Sequence, residues 1–530
     1  MHMLFPIRTT SRLLAGCSVL CSLSGVAFAD RPFGPFLIPG TLVISSSTYD
    51  RTQGAVASLT IGTPLAGSAT ATTPAIADND YVNVWNNDTA DGSFGVTSLI
   101  RLTEVDAYSG RRFDSIVVPT NQVVTSFSSK SELGLHLSRD RDGAHLVFVG
   151  YGGANVGALD VSNSDAVAGQ DPTNPVTFAF GPQHAFHRTI VSLDERGNIS
   201  YTPTIDYGGN NGRSALLGSN GLYYTVGNAN NGNASTFGAN GTDPDVTETT
   251  GLEVVKPINA RTSSVTIPTG NSSEVDPLVQ YPLGKNGAPD KAGKDDNYRG
   301  VTEFEGALFF TKGSGSNGMD TLYTVSSLPT LSNAAAAMIS VVPGFPTDSA
   351  RSTGGNFTPF AVFFANANTM YVTDEGSGSS LDATQHAGLE KWTKVNGTWQ
   401  LDYVLTNGLI GVVDSNLFGP DGQYPDVTTT GLRNLTGTVH RNGTVTLWAT
   451  TSTSSASGDN GADPNKVVRI TDELAATTMT DHVIQESFRT VAGPTYGTVY
   501  RGVAFVTEEC DAHGDHGDDC HHGFDAQDHH

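Results

Sequence analysis

The chain reads as an all-β fold assembled from repeats, and three observations carry that reading. The first is a recurring phrase: polar loop, arginine, short apolar strand, tight turn, second strand. It is plainest in Asp295-Asp296-Asn297-Tyr298-Arg299-Gly300-Val301, which runs through Glu305-Gly306 into Ala307-Leu308-Phe309-Phe310-Thr311. It returns loosely at Asn210-Asn211-Gly212-Arg213 and at Thr430-Gly431-Leu432-Arg433, and Tyr500-Arg501-Gly502-Val503 repeats it letter for letter. Such self-similarity marks a repeat architecture. The second observation is composition. Sixty glycines in 530 residues, with abundant Asn, Ser and Thr, supply many tight turns, and 38% hydrophobic residues suffice for a core. Helical periodicity is almost absent; the nearest case, around 333–339, is short. The third lies at the two ends. Thr41-Leu42-Val43-Ile44-Ser45-Ser46 looks like a second strand without a first, and Tyr500 to Val506 looks like a first strand without a second. Pairing them closes a ring and removes free sheet edges, which is how a β-propeller ends.

With four strands per repeat, A innermost to D outermost, the elements follow in order. Residues 81–119 are expected to form the first blade, with Arg101 to Asp106 as a middle strand before the Ser109-Gly110 turn. A second runs from Leu133 to about Thr204, with Ala144 to Val149 as its B strand and a hairpin turned at Arg196-Gly197-Asn198. The third spans Arg213 to about Pro282, the fourth Arg299 to about Pro343 and the fifth Phe357 to Leu405, turned at Asn396-Gly397. The sixth spans Leu432 to about Val491. The shared closing blade makes seven, and the domain covers residues 30–507. The longest insertions, 229–250, 376–387 and 452–464, follow B strands and fall on one face, where binding sites on such scaffolds are usually built.

The N-terminus has the form of an export signal: Arg8 and Arg12, an apolar run from Leu13 to Val26, and Ala27-Phe28-Ala29 before a mature start at Asp30. The competing reading is a lipoprotein box at Leu14-Ala15-Gly16-Cys17, which has no hydrophobic stretch between it and Arg12. Beyond it no run reaches the roughly 18 apolar residues that a membrane span requires. A formal charge of −24 disfavours nucleic acid and anionic membrane surfaces, both of which select basic proteins. The reading is therefore a secreted protein, extracellular or periplasmic, and monomeric. Its partner would be a small molecule, a glycan or another protein. Residues 508–530 form a His/Asp/Cys tail with no hydrophobic pattern, expected to be disordered without a ligand.

The Tyr-Arg-Gly-Val strands, Phe127-Ser128-Ser129-Lys130-Ser131-Glu132-Leu133, Gly388-Leu389-Glu390-Lys391-Trp392 with Gly397-Thr398-Trp399-Gln400-Leu401, and Asp459-Asn460-Gly461-Ala462-Asp463-Pro464-Asn465-Lys466 resemble exported bacterial proteins with propeller-like repeats, mostly uncharacterised. The resemblance implies fold and export for nearly the whole mature chain except the tail. It brings no activity and no catalytic residues.

Candidate chemistry concentrates at the strand-A starts. Arg213, Arg299, Arg433 and Arg501 hold equivalent places that symmetry directs to the mouth of a central channel, with Asp295, Asp296, Asp374 and Glu375 on the same face. One reading is a rim that grips an anionic or polyhydroxylated ligand through arginine forks. The other is an ion-pair network locking each blade to its neighbour. The same carboxylates are the catalytic candidates if the protein is a carbohydrate-active enzyme. A hydrolase would use two of them as acid and base. A lyase would need a base, His184, His187 or a tyrosine, beside an arginine. No Gly-x-Ser-x-Gly, His-Glu-x-x-His or phosphate loop is present. Two metal sites are candidates: Ca2+ in the oxygen-rich loop 458–465 through Asp459 and Asp463, with an Asx-turn-rich loop as the alternative, and Zn2+, Cu2+ or Ni2+ at the tail, with a solvated charged tail as the alternative. The tail ligands are Cys510, His513, His516, Cys520, His521 and His522, with a Cys510–Cys520 disulfide as the alternative use of the thiols.

Overall fold

The computed structural model describes residues 36–507 except 51, 59, 61–94, 128–132, 141–142, 160, 164–185, 209, 230–248, 276–295, 314–317, 348–356, 377–385, 420–421 and 456–460. The expected export signal, the tail and most of the three long insertions lie outside the described residues. Within them the protein is all-β and propeller-like. Helix is confined to short turns, such as Ala334–Ala336 and Asp481–Gln485. No described helix is long and apolar enough to cross a membrane.

Six four-stranded antiparallel units are found among the described residues. Blade I takes its A strand from the C-terminal side, Thr498–Phe505, and continues with Thr41–Thr48, Val96–Asp106 and Arg112–Val117. Blade II is His136–Asp140, Gly143–Gly152, Arg188–Asp194 and Ile199–Thr204. Blade III is Gly212–Leu217, Tyr223–Gly227, Gly251–Val255 and Ser272–Glu274, and blade IV is Val301–Phe304, Ala307–Lys312, Thr321–Val325 and Ile339–Val341. Blade V is Pro359–Asn366, Thr369–Asp374, Gly388–Val395 and Thr398–Leu405, and blade VI is Val427–Val439, Thr444–Ser454, Val467–Glu473 and Arg489–Ala492. A further strand, Val123–Phe127, bridges blades I and II.

The closure expected from the termini is present, with Leu42 opposite Phe505 and Ile44 opposite Val503. The expected count of seven is not. Residues 81–119 were to be a blade of their own, but Arg101 pairs with Ser46 and Asp106 with Thr41. That segment therefore supplies the C and D strands of the closing blade. Among the described residues the innermost strands touch in sequence, I to II and on through VI, and VI touches I, so the ring formed by these residues has six blades.

The repeated arginine phrase has a packing cause. Leu133, Arg213, Arg299, Phe360, Arg433 and Arg501 hold the equivalent position in the six blades. In blades I and IV the following residue is a glycine set close against the next blade. A Cβ on Gly300 would sit 2.5 Å from the Phe360 carbonyl oxygen, and one on Gly502 would sit 2.6 Å from that of Leu133. Glycine is needed here for close approach. Hydroxyls on the B strands then staple the blades together. Ser45 Oγ accepts the Gly502 N–H (2.7 Å) and donates to the Leu133 carbonyl of blade II (2.9 Å). Thr311 Oγ1 accepts the Gly300 N–H (3.1 Å) and donates to Phe360 O of blade V (2.6 Å). Thr373 does the same between blades V and VI, accepting from Ala361 and donating to Arg433 O. Thr450 donates to Arg501 O across the VI–I junction (3.1 Å). Further out, aromatic packing joins the blades. Phe304 stacks on Phe364 between IV and V (4.3 Å), and Trp448 stacks on Phe505 between VI and I (4.7 Å).

Candidate functional site

The site is built where strands A begin and strands B end, at the blade IV–V–VI sector. Strand B of blade V ends in Asp374, and the chain turns against blade VI at Glu375. Gly431 makes room for that turn, since a Cβ there would meet the Asp374 carbonyl oxygen at 2.3 Å. Glu375 is thereby held between blades: Arg433 Nε donates to its Oε2 (3.1 Å), and Arg299 Nη2 lies 3.8 Å from its Oε1. Both guanidinium groups also face the Phe360 ring, at 5.6 and 5.7 Å. On the blade IV side the fully buried Lys312 ammonium pairs with Asp320 (3.0 Å). Burial pushes the Asp320 carboxyl up, against the pull of Lys312 and Arg299.

Of the four arginines, Arg299 and Arg433 meet at Glu375. Arg213 is buried and donates to the Tyr298 carbonyl of blade IV (3.3 Å), and Arg501, also buried, donates through Nε to Ser47 Oγ (3.0 Å). Arg433 is the most open of the four, with 17% of its side chain exposed.

The carboxylates are divided. Asp374 is fully buried and accepts from the Thr358 N–H, Thr358 Oγ1 and the Gly376 N–H, so it ties down the start of a loop. Burial pushes it up to about 6 against those donors. Asp296 is fully buried and lies against Gly251 of blade III. Asp295 and His184 lie outside the described residues, and His187 immediately precedes the third strand of blade II, where its carbonyl accepts the Gly152 N–H. In the expected calcium loop Asp459 is outside the described residues. Asp463 is buried and accepts from Tyr424 Oη (2.8 Å) and Ser455 Oγ (2.5 Å). Cys510, His513, His516, Cys520, His521 and His522 are likewise outside them. Among the described residues no group of three His, Cys, Asp or Glu side chains is arranged to hold a metal.

A second cluster was not singled out from the sequence. Glu390, on strand C of blade V, is fully buried and accepts the Trp392 Nε1–H on Oε2 (2.7 Å). Its Oε1 meets His386 Nδ1. The His386 ring is packed edge-on against Phe357 (5.2 Å) and is 20% exposed. Burial pushes the Glu390 carboxyl up to about 7; the His386 hydrogen bond opposes this and the Asp374 charge adds to it. Two charged residues, Glu390 and Lys391, between Leu389 and Trp392, with a histidine four residues before the glutamate, were the available signal.

No family model matches the chain, and no curated relative matches it. Among solved structures it is similar to a GH43 β-xylosidase/α-arabinofuranosidase from a compost microbial metagenome, at 10% identity and TM-score 0.30, over 69% of this chain and 92% of that one. An α-L-arabinofuranosidase from Podospora anserina gives 12% identity and TM-score 0.30, over 64% and 91%. The PL25 ulvan lyase gives 10% and 0.27, over 83% and 96%. Likeness at this level assigns no activity to this chain.

Proposed function

We propose that the protein is an exported propeller that binds an acidic or polyhydroxylated ligand, a glycan in the first instance, at the strand-A end of its channel. The observation that carries the reading is the Arg299–Glu375–Arg433 arrangement around Phe360. It gathers two planar cations around the buried Phe360 ring where strands A begin and strands B end. Guanidinium forks suit carboxylates. Arg433 is the ligand contact, because part of it is exposed; Arg299, Arg213 and Arg501, nearly enclosed, hold the ring. The test is calorimetric titration with oligogalacturonate and neutral xylo-oligosaccharides. Binding that Arg433→Ala weakens at least about tenfold, the loss of one good charged contact, supports the reading. Full-strength binding in that variant, or no binding by the wild type, rejects it.

A second reading, a carbohydrate-active enzyme, draws on a separate observation. Glu390 and Asp374 are carboxyls raised toward neutrality on the same blade, the range in which a group exchanges protons efficiently. Release of reducing ends or unsaturated products from the same glycans would establish it. The tail and loop 458–465 are proposed as metal-binding segments on composition alone; equilibrium dialysis of the full chain against Zn2+ and Ca2+ tests both.

A further inference from the structure

We propose that the acidic tail, residues 508–530, docks back on the body as a strap, across an arginine–aromatic patch where the outer strands of blade VI meet blade I. The patch is built by the turn between Val96–Asp106 and Arg112–Val117, which lies against the last strand of blade VI: a Cβ on Gly110 would meet the Val491 carbonyl oxygen at 1.9 Å. Arg469 reaches across this junction, donating from Nε to the Tyr108 carbonyl (3.3 Å) and lying over the Tyr108 ring (5.3 Å). Arg111 lies over Phe113 in the same way (4.8 Å). Both rings are exposed, and so are Arg111, Arg112 and Arg489. A guanidinium laid over a ring keeps its N–H edges for an anion. Arg489 sits directly opposite Arg469 in the blade VI sheet, so two like charges share one face. Such a pair is unfavourable on its own, and an anion between them removes the conflict.

Within the body the patch has no counter-charge of its own. Among the described residues none of the four guanidinium groups forms an ion pair, whereas Arg299 and Arg433 share Glu375. Asp106, whose charge Arg111 feels, is committed to its turn, accepting the Tyr108 N–H (3.2 Å), the Ser109 N–H (2.7 Å) and Ser109 Oγ (2.7 Å). Asp114 accepts the Ser115 N–H (2.7 Å). The tail supplies what is missing: it holds eight of the chain's 53 acidic residues and neither lysine nor arginine. It also starts nearby. Arg139 Nη2 holds the Thr507 carbonyl (2.6 Å), and Phe505, two residues earlier, stacks on Trp448 (4.7 Å), which meets Tyr108 edge-on (5.8 Å). At about 3.3 Å per extended residue, only part of the tail is needed to cover that separation. An external polyanion would have to approach a molecule of formal charge −24, while a tethered segment meets the patch at high effective concentration. Nothing in this contact depends on what binds at the channel end.

The experiment is modification of the full-length protein by phenylglyoxal at low ionic strength, with each arginine followed by peptide mass spectrometry. Arg196, exposed on the blade II hairpin turn, is the internal standard. The strap requires Arg111, Arg112 and Arg489 to react about fivefold more slowly than Arg196, the scale of a few exposed ion pairs acting together. The difference should vanish in about 1 M salt, where charges are screened beyond about 3 Å. It should also shrink in a full-length variant carrying Asp515→Asn, Asp518→Asn and Asp519→Asn. Reaction of the wild type at the Arg196 rate overturns the proposal. So does protection that the triple variant leaves intact, since the body alone then shields these arginines. Protection that grows with protein concentration overturns it in favour of the tail of a second copy, and protection that appears only on adding dextran sulfate overturns it in favour of an external polyanion.

Discussion

Glu375 is one carboxylate serving guanidinium groups from blades on either side of its own, and that makes it costly to remove. In Glu375→Gln the two cations lose this shared counter-charge. Breaking one partner of a buried pair typically costs about 3–5 kcal/mol, and the partial exposure of Arg433 places the effect toward the lower end. Equilibrium urea denaturation should show it as a lower midpoint; an unchanged midpoint would mean that solvent already carries these charges. Arg299→Ala should lose more stability than Arg433→Ala, since Arg299 is 5% exposed and Arg433 17%. Differential scanning calorimetry of the two variants decides the order. That four arginines share a place was legible in the sequence. That Arg299 and Arg433 converge on Glu375 was not, because the partner depends on which blade's turn folds across, and the Gly431 gap that admits Glu375 is a packing detail.

At the scale of the strand, the hydroxyl staples explain why the repeat can be so loose in sequence and so regular in space. What recurs is an apolar residue followed by Ser or Thr: Ile44-Ser45, Phe310-Thr311, Val372-Thr373, Ala449-Thr450. Each hydroxyl satisfies an N–H of its own blade or a carbonyl of the next, groups that would otherwise be buried unpaired between sheets. Thr311→Val keeps the shape and deletes both bonds, to Gly300 N–H and Phe360 O. Two orphaned backbone groups should cost about 1–3 kcal/mol, read as a lower denaturation midpoint with an unchanged m-value. Stability equal to wild type would show that water enters the junction. These pairs were visible beforehand but looked like ordinary strand residues, since a hydroxyl staple has no signature in alternation. The blade count failed for a similar reason. Val96–Asp106 has the pattern of any strand, and only its pairing with Thr41–Thr48 shows that it belongs to the closing sheet.

Taken whole, the molecule buries acids that hold their protons more tightly than free carboxyls do, and this sets the direction of its pH dependence. Burial pushes Asp206 and Asp374 up to about 6, Glu390 to about 7 and Glu486 to about 8, where the Asp472 charge adds to burial; Glu253 is also raised, by burial and then by Asp206, Glu274 and Asp296. Ordinary values near 4 describe the unfolded chain. Between about pH 4 and pH 8 these acids bind more protons in the folded protein than in the unfolded chain, so their contribution to stability falls as pH rises; the buried His136, pushed down to about 4, opposes them only below about pH 6.5. Below that window the protonated forms are common to both states and the penalty is absent. The formal charge of −24 acts in the same direction, since self-repulsion grows as the remaining acids ionise. The melting temperature should accordingly be higher at pH 5.5 than at pH 8.5, at constant ionic strength. Glu486→Gln isolates one contributor. It removes a carboxyl placed beside the fully buried Asp472, whose oxygens already take Tyr371, Tyr403 and Lys391. The variant should gain stability relative to wild type at pH 8.5 and change little at pH 5.5. His482, 3.6 Å from Glu486 but largely exposed, contributes little to this balance. A wild-type melting temperature that climbs from pH 5.5 to 8.5 would show that these carboxyls are ionised in the folded state, with cations or water supplying what the protein does not.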